Sequence, residues 1–349
     1  MQTTLPSRPK RIACIQLDPK HADVEQNTDN VLGLVNRLIA ERKTNPVDLL
    51  VLPELALTGY VFESRQEIEP LLEDARIFKG PTAALEEHES QTASALIASC
   101  KSSCRSSKQP SLTLASHLAR YLACHVVIGF PELGSHQSST SEAVSAPFDA
   151  RPVDVRSAPS LGHNAAETED LAFNSAALFS PTGALIHVFR KHFLFETDEI
   201  WATPGPGFES IRLPGLGTVC VGICMDLNPY LFATPFDACE LASFCVQRNV
   251  DLLIMPMAWL LPKDEQDKEQ TSLSTVNYWA LRCRPFFDRE QKGEDRTRYL
   301  VATNRAGIEG ESVFAGSSSV LQMKGGERPV LLDSLGAREE ACLLVTLPE

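Results

Sequence analysis

Short, continuous apolar runs recur along this chain and constrain its fold more than any other feature. They are residues 11–17, 49–52, 124–130, 176–179, 185–189, 218–223, 252–255, 299–303 and 319–322. Most do not alternate apolar with polar residues, which is typical of strands covered on both faces. Segments of helical period separate them: residues 28–42 place Val31, Leu34, Val35, Leu38 and Ile39 on one face, and residues 237–248 and 274–282 also look helical. The sequence therefore predicts an α/β fold with helices outside buried strands.

Three polar stretches interrupt this pattern. Residues 89–111 are rich in Ser, Lys and Gln, although residues 92–98 could extend a helix, and residues 262–270 are short and highly charged. Residues 135–170 are rich in Ser, Ala and Pro and predict a flexible insertion, because such a composition buries too little apolar surface to offset its ordering entropy. With no internal repeat and no dividing linker, we expect one domain over residues 1–349.

The charge and the apolar content limit the possible partners. A formal net charge of −13 argues against a sequence-independent nucleic-acid binder, which needs a basic face. No apolar stretch reaches the length that spans a membrane. A cytoplasmic protein is therefore expected, while the basic, acid-free residues 1–11 leave organelle targeting as an alternative. Self-association stays open.

The cysteine and histidine patterns predict neither disulfides nor a metal. Five of the ten cysteines, Cys14, Cys124, Cys220, Cys224 and Cys245, lie in or beside apolar runs, where a free thiol behaves as a small hydrophobic residue. No CxxC pair with metal spacing is present. His187 and His192 have an odd separation on a strand-like segment, which directs them to opposite faces.

Three apolar runs end at residues that could together hydrolyse an amide. Glu54 follows residues 49–53, Lys191 follows residues 186–190, and Cys224 follows residues 219–223. An amide resists hydrolysis unless a nucleophile, a base and a donor to the oxyanion converge on it. A thiol, a carboxylate and an ammonium can fill these three roles.

The segments around these residues resemble the nitrilase, or carbon–nitrogen hydrolase, superfamily. The similarity lies in PELALTGY at 53–60, RKHFLF at 190–195 and GICMD at 222–226, and it continues at 11–17, 174–183, 251–259, 304–307 and 314–318. Within the superfamily, residues 224–230, 243–246, 256–260 and 276–279 are most similar to the fungal protein N-terminal amidases. Many other members carry an aromatic residue where this chain has Met225.

The resemblance implies a four-layer αββα sandwich and a thiol amidohydrolase without cofactor or metal. The implied substrate is the side-chain amide of an N-terminal Asn or Gln of a protein or peptide, and the new acidic terminus would feed protein degradation. In this mechanism Glu54 is the base and Cys224 the nucleophile, while Lys191 and the backbone N–H of Met225 hold the oxyanion. Two alternatives are a small-molecule ω-amidase or carbamoyl hydrolase and a non-catalytic scaffold of the same fold.

Several further residues are candidates for supporting roles. The superfamily often has a second glutamate that orients the lysine, and Glu196 or Glu199 could fill this place, with Glu199 preferred. Asp226 could bind the substrate's α-ammonium, or it could orient its own loop. Another set could line the pocket, although aromatic residues beside strand ends also pack in cores: Tyr60, Phe62 and Trp259.

Overall fold

The structure is a computed structural model that describes residues 8–80, 92–135, 170–265, 267, 269–289 and 296–348. The insertion predicted at residues 135–170 therefore lies almost entirely outside the described residues. That the whole chain forms one domain stays a prediction.

Two six-stranded sheets dominate the described ranges, and a small two-stranded ribbon accompanies them. The first sheet has the order β14-β1-β2-β3-β4-β5, the second has the order β13-β12-β9-β8-β7-β6, and β10 pairs with β11. The strands are β1 (Arg11–Gln16), β2 (Leu49–Val51), β3 (His125–Gly134), β4 (Leu171–Phe179), β5 (Leu185–Arg190), β6 (Ser210–Leu213), β7 (Gly217–Val221), β8 (Leu252–Met257), β9 (Thr297–Asn304), β10 (Ile308–Glu309), β11 (Ser312–Val313), β12 (Ser319–Lys324), β13 (Val330–Ser334) and β14 (Ala341–Thr346).

Each sheet has a parallel centre and antiparallel edges. Strands β1, β2 and β3 pair in parallel in the first sheet, as do β7, β8 and β9 in the second. The remaining pairs in both sheets are antiparallel. The carboxyl ends of parallel neighbours lie at the same edge of a sheet, which is where ligands bind in many α/β folds.

Helices cover the outer faces of the sheets. Helices α1, α3 and α4 share a core cluster with strands of the first sheet, and α6 and α7 share one with strands of the second. The helices are α1 (Val24–Glu41), α2 (Arg65–Ile68), α3 (Ala93–Ser106), α4 (Pro110–Leu122), α5 (Glu196–Glu199), α6 (Glu240–Gln247) and α7 (Leu273–Arg282). The predicted α/β sandwich with layers in the order αββα is confirmed.

Strand β1 shows why the apolar runs are continuous. Ile12 and Cys14 belong to the core between the two sheets, whereas Ala13 and Ile15 belong to the core under the helices. Successive side chains of a strand point to opposite faces, so a strand buried on both faces needs an apolar residue at every position.

The polar segment at residues 89–111 contains more helix than its composition indicates. Helix α3 runs to Ser106, well beyond the expected residues 92–98. It buries Leu96, Cys100 and Cys104 at a spacing of four residues, so small thiols and one leucine form the apolar stripe of an otherwise polar helix. The hydroxyl of Thr92 accepts a hydrogen bond from the Ala95 backbone N–H, which caps the helix.

Candidate active site

The site lies where strand ends from both sheets meet. Glu54 follows β2 and Lys191 follows β5 in the first sheet, while Cys224 follows β7 in the second. The backbone N–H of Ala258, just after β8, donates to Glu54 Oε2 at 2.7 Å, so this contact joins the two sheets. The structure therefore brings together the three residues that the sequence predicted to cooperate.

Lys191 is fully buried between two carboxylates. Its Nζ donates to Glu54 Oε1 at 2.6 Å and to Asp198 Oδ2 at 2.5 Å. Burial by itself would lower the pKa of Lys191, but Asp198 and Glu54 outweigh it and hold the pKa well above its ordinary value. An ammonium carries three N–H donors, so two are engaged within the described part of the chain and one remains for another acceptor.

Asn174 links the same two carboxylates. Its Nδ2 donates to Glu54 Oε1 at 2.7 Å and to Asp198 Oδ1 at 2.9 Å. Both amide hydrogens are thus used, and the two carboxylates are held in fixed orientation. No sequence pattern pointed to a role for Asn174, although it begins a segment that resembles the family.

Asp198 occupies the lysine-orienting position, so the prediction of Glu199 was wrong. Asp198 is buried in the four-residue helix α5, whereas Glu196 and Glu199 on either side are exposed. Besides Lys191, Asp198 accepts hydrogen bonds from the backbone N–H of Phe195 and the hydroxyl of Tyr60. Three acidic residues lie within this single turn, and only packing decides which of them points inward.

A second buried ion pair holds the loop that follows Glu54. Glu309 is paired with Arg305 and accepts the backbone N–H groups of Tyr60 at 3.0 Å and Val61 at 2.7 Å. Gly129 in β3 allows the loop to approach closely, because a Cβ there would lie 2.6 Å from the Cα of Glu54. These contacts fix the position of the carboxylate before any substrate binds.

Cys224 begins a 3-10 helix, Cys224–Leu227, with a backbone conformation that is rare for a residue other than glycine. Its φ of 43° lies in the left-handed region, which costs a side chain about 1–2 kcal/mol. Gly222, two residues earlier, lets α6 pack closely, since a Cβ would lie 2.6 Å from Leu241 Cδ2. A sharp turn of this kind lifts the thiol out of the strand end.

The surroundings keep Cys224 protonated in the free protein. Burial raises the pKa of the thiol well above its ordinary value, the charge of Glu54 adds to this effect, and Lys191 opposes it. Burial also raises the pKa of Glu54, against the opposing effect of Lys191. The thiol therefore needs a base at the moment it attacks, and of the two carboxylates whose charges act on it, Glu54 has the larger effect and Asp198 the smaller.

Asp226 is buried and binds its own loop. Its Oδ1 accepts the backbone N–H groups of His192 and Phe193, and its Oδ2 accepts that of Ile223. It does not appear among the described residues that line the cavity beside Cys224. Of the two roles left open by the sequence, the loop-orienting one is the role that the structure shows, and a role of Asp226 as a partner of the substrate stays a prediction.

A cavity of about 490 Å³ opens beside Cys224. Tyr60 and Trp259 line it, as predicted, together with Met225, Asn228 and Tyr278. Met225 lies in the first turn of the 3-10 helix, where backbone N–H groups lack partners inside the helix. The lining also contains Phe232 and Leu260, which are exposed to solvent.

Phe62 does not reach this cavity. Its ring is fully buried and packs against His21, with ring centroids 4.6 Å apart. The prediction that it lines the pocket was wrong, because Phe62 packs into the interior, whereas Tyr60, two residues earlier and also buried, contributes to the cavity wall.

Neither candidate histidine belongs to a metal site. His187 Nε2 lies 3.0 Å from Glu209 Oε2, and His192 Nδ1 lies 2.8 Å from the carbonyl oxygen of Gly205. Across the described ranges, no group of three His, Cys, Asp or Glu side chains is placed to hold a metal ion. None of the helices in these ranges combines the length and apolar character needed to cross a bilayer.

Comparison with known proteins gives a consistent result. A protein of Schizosaccharomyces pombe named Protein N-terminal amidase is 28% identical over 347 residues, which cover 96% of this chain and 98% of the relative. A protein of the same name from Saccharomyces cerevisiae is 25% identical over 277 residues, 74% of this chain and 47% of that protein.

Solved structures share the fold. A crystal structure of N-terminal amidase with an Asn-Glu peptide has a TM-score of 0.70 and 20% identity, with 97% of each chain covered. The family described as carbon-nitrogen hydrolase matches residues 11–229, which is more than half of the sequence and includes Glu54, Lys191 and Cys224. The resemblance seen in the sequence is thereby confirmed, and the chain belongs to the carbon–nitrogen hydrolase family.

Proposed function

We propose that this protein hydrolyses the side-chain amide of an N-terminal Asn or Gln of proteins or peptides, releasing ammonia and leaving Asp or Glu. The observation that carries the proposal is the meeting of a thiol, a buried ammonium and buried carboxylates beside one open cavity. The relatives named Protein N-terminal amidase support the choice of substrate, since one of them aligns over 96% of this chain.

Acylation begins with attack of Cys224 on the substrate amide while the thiol proton passes to Glu54. Because the pKa of the thiol is raised, the transfer accompanies attack of Sγ on the amide carbon and does not precede it. The developing oxyanion is stabilised by the remaining N–H of Lys191 and the backbone N–H of Met225. These donors are fixed before the reaction, so their orientation needs no further ordering.

Breakdown of the tetrahedral intermediate returns the proton. Glu54 protonates the departing nitrogen, ammonia leaves, and a thioester joins Cys224 to the former side-chain carbonyl. Glu54 then takes a proton from water, the hydroxide oxygen attacks the thioester, and the Cys224 sulfur leaves and is reprotonated. Glu54 is ionised again at the end, so one carboxylate serves both half-reactions.

The test is ammonia release, with the accompanying mass change, from a matched set of substrates. Asn- and Gln-initiated peptides should react, whereas their N-acetylated forms and free Asn and Gln should not. Cys224→Ala and Glu54→Gln should abolish release, and circular dichroism should show that both variants fold. If only small molecules react, the protein is an ω-amidase or carbamoyl hydrolase and the proposal fails. If the protein is folded and its thiol is unmodified but no substrate reacts, the result favours a non-catalytic scaffold.

We also propose that the activity lies in a reducing compartment, the cytoplasm, where its products enter N-terminus-dependent degradation. All ten cysteines are free, and nine of them are buried, which suits a protein that is not oxidised. A fluorescent fusion of the full chain tests the location. A reporter protein with N-terminal Asn should be stabilised when Cys224→Ala replaces the active protein.

A further inference from the structure

The open side of the active cavity is apolar, and this feature has no role in the reaction described above. Phe232 and Leu260 line the cavity and expose 60% and 36% of their surface, whereas Cys224 exposes only 6%. Their exposure marks the mouth of the cavity, and the low exposure of Cys224 marks its inner end.

The loop that carries Phe232 has an unfavourable backbone conformation and leaves the Phe232 ring exposed to solvent. Leu231 and Phe232 have φ values of 51° and 52°, a left-handed conformation that bulky residues seldom adopt. The segment is nevertheless anchored, because Glu240 accepts the backbone N–H of Tyr230 and the hydroxyl of Thr234. An exposed aromatic ring on an anchored, strained loop is not explained by packing among the residues that the structure describes.

The substrate must pass this mouth. When the side-chain amide carbon of an N-terminal Asn or Gln lies at Cys224, the rest of the peptide continues from the backbone carbonyl of the same residue. The rest of the substrate peptide can leave only through the open side of the cavity. The second residue of the substrate is the first one to reach the mouth.

We propose, resting on the function proposed above, that Phe232 and Leu260 bind the side chain of the second residue and select an apolar one. None of the described residues that line the cavity carries a charged side chain. A Glu or Lys at the second position would therefore lose hydration without gaining an ionic partner, whereas a Leu would remove apolar surface from water on both sides of the contact.

The experiment measures kcat/KM for ammonia release from Asn-initiated peptides that differ only at the second residue: Leu, Gly, Glu and Lys. Apolar contacts of this size discriminate by about tenfold or more, so Leu should exceed Gly about tenfold and both charged residues should fall below Gly. Phe232→Ala and Leu260→Ala should each reduce the ratio of Leu to Gly. Leu331→Ala is the matched control, since Leu331 is 37% exposed on β13 and does not line the cavity, and it should leave the ratio unchanged.

Each outcome has a distinct meaning. If the wild-type protein hydrolyses the four peptides at equal rates, the proposed preference for an apolar second residue is refuted. This comparison uses no variant, so it does not depend on whether a variant folds. A preference for Leu that survives both mouth substitutions overturns the assignment to Phe232 and Leu260. Failure of every Asn and Gln peptide to react refutes the proposed function itself, and the inference falls with it.

Discussion

Replacing Asp198 with Asn should move the acid limb of the pH–rate profile to lower pH. Glu54 must be ionised to act as base, so kcat/KM rises as the pH passes through the pKa of Glu54. The neighbouring charge of Asp198 contributes to raising that pKa, although burial is the larger cause. Removing the charge therefore lowers the pKa and allows the base to work in more acidic solution.

The size of the effect follows from the geometry. Glu54 Oε1 and Asp198 Oδ2 lie within 2.6 Å of the same Lys191 nitrogen, so the two oxygens are at most about 5 Å apart. At this distance and an effective dielectric constant of about 20, two like charges repel by about 3 kcal/mol. Since about 1.4 kcal/mol corresponds to one pH unit, the acid limb should move by more than one unit.

The assay is the pH dependence of kcat/KM for ammonia release from an Asn-initiated peptide, with the wild-type protein and Asp198→Asn compared over the same pH range. Glu199→Gln is the matched control, because Glu199 is exposed in the same helical turn and should leave the profile in place. The midpoint of the limb reports the effect even where the variant has a lower maximal rate. A limb that does not move, or that moves to higher pH, refutes the electrostatic coupling.

Three further predictions concern stability and reactivity. Lys191→Met leaves Glu54 and Asp198 buried without their cation and should destabilise the protein by about 3–5 kcal/mol in urea unfolding, while a loss under about 1 kcal/mol would contradict the buried network. Asp226→Asn replaces one of the two acceptor oxygens by an amide N–H₂ donor at a place where three backbone N–H groups converge. It should lower the free energy of unfolding by about 1–3 kcal/mol in the same assay. It should not change the preference for free over N-acetylated peptides, and loss of that preference would support Asp226 as a partner of the α-ammonium. Iodoacetamide should label Cys224 more slowly at pH 7 than it labels free cysteine, and the labelling should become faster as the pH rises. Peptide mass mapping measures the extent of labelling. Rapid labelling that does not depend on pH would indicate a preformed thiolate.

The position of the chemistry along the chain could be predicted from the sequence because strand ends are local features. An apolar run fixes where a strand stops, and the next polar residue must then lie at the sheet edge. Glu54, Lys191 and Cys224 were found in this way, and the family resemblance added their roles. Asn174 escaped because a single polar residue near an apolar run has no distinctive signal.

The errors share one physical cause. Glu199 and Phe62 both lie in short loops or turns beyond strand ends, where the direction of a side chain depends on the backbone conformation of a few residues. The left-handed conformations of Leu55 and Cys224 illustrate this, with φ values of 46° and 43°. Packing against the opposite sheet selects such conformations, and sequence periodicity carries no record of them.

The sequence by itself therefore determined the buried strands, the outer helices and the thiol, carboxylate and ammonium at three strand ends, because these depend on continuous apolar runs, on helical periodicity and on local motifs. Only the tertiary structure decided that Asp198 meets Lys191 and that Asp226 serves its own loop. It also decided that Phe232 and Leu260 form the cavity mouth. These arrangements depend on contacts between segments far apart in the chain, and packing alone specifies them.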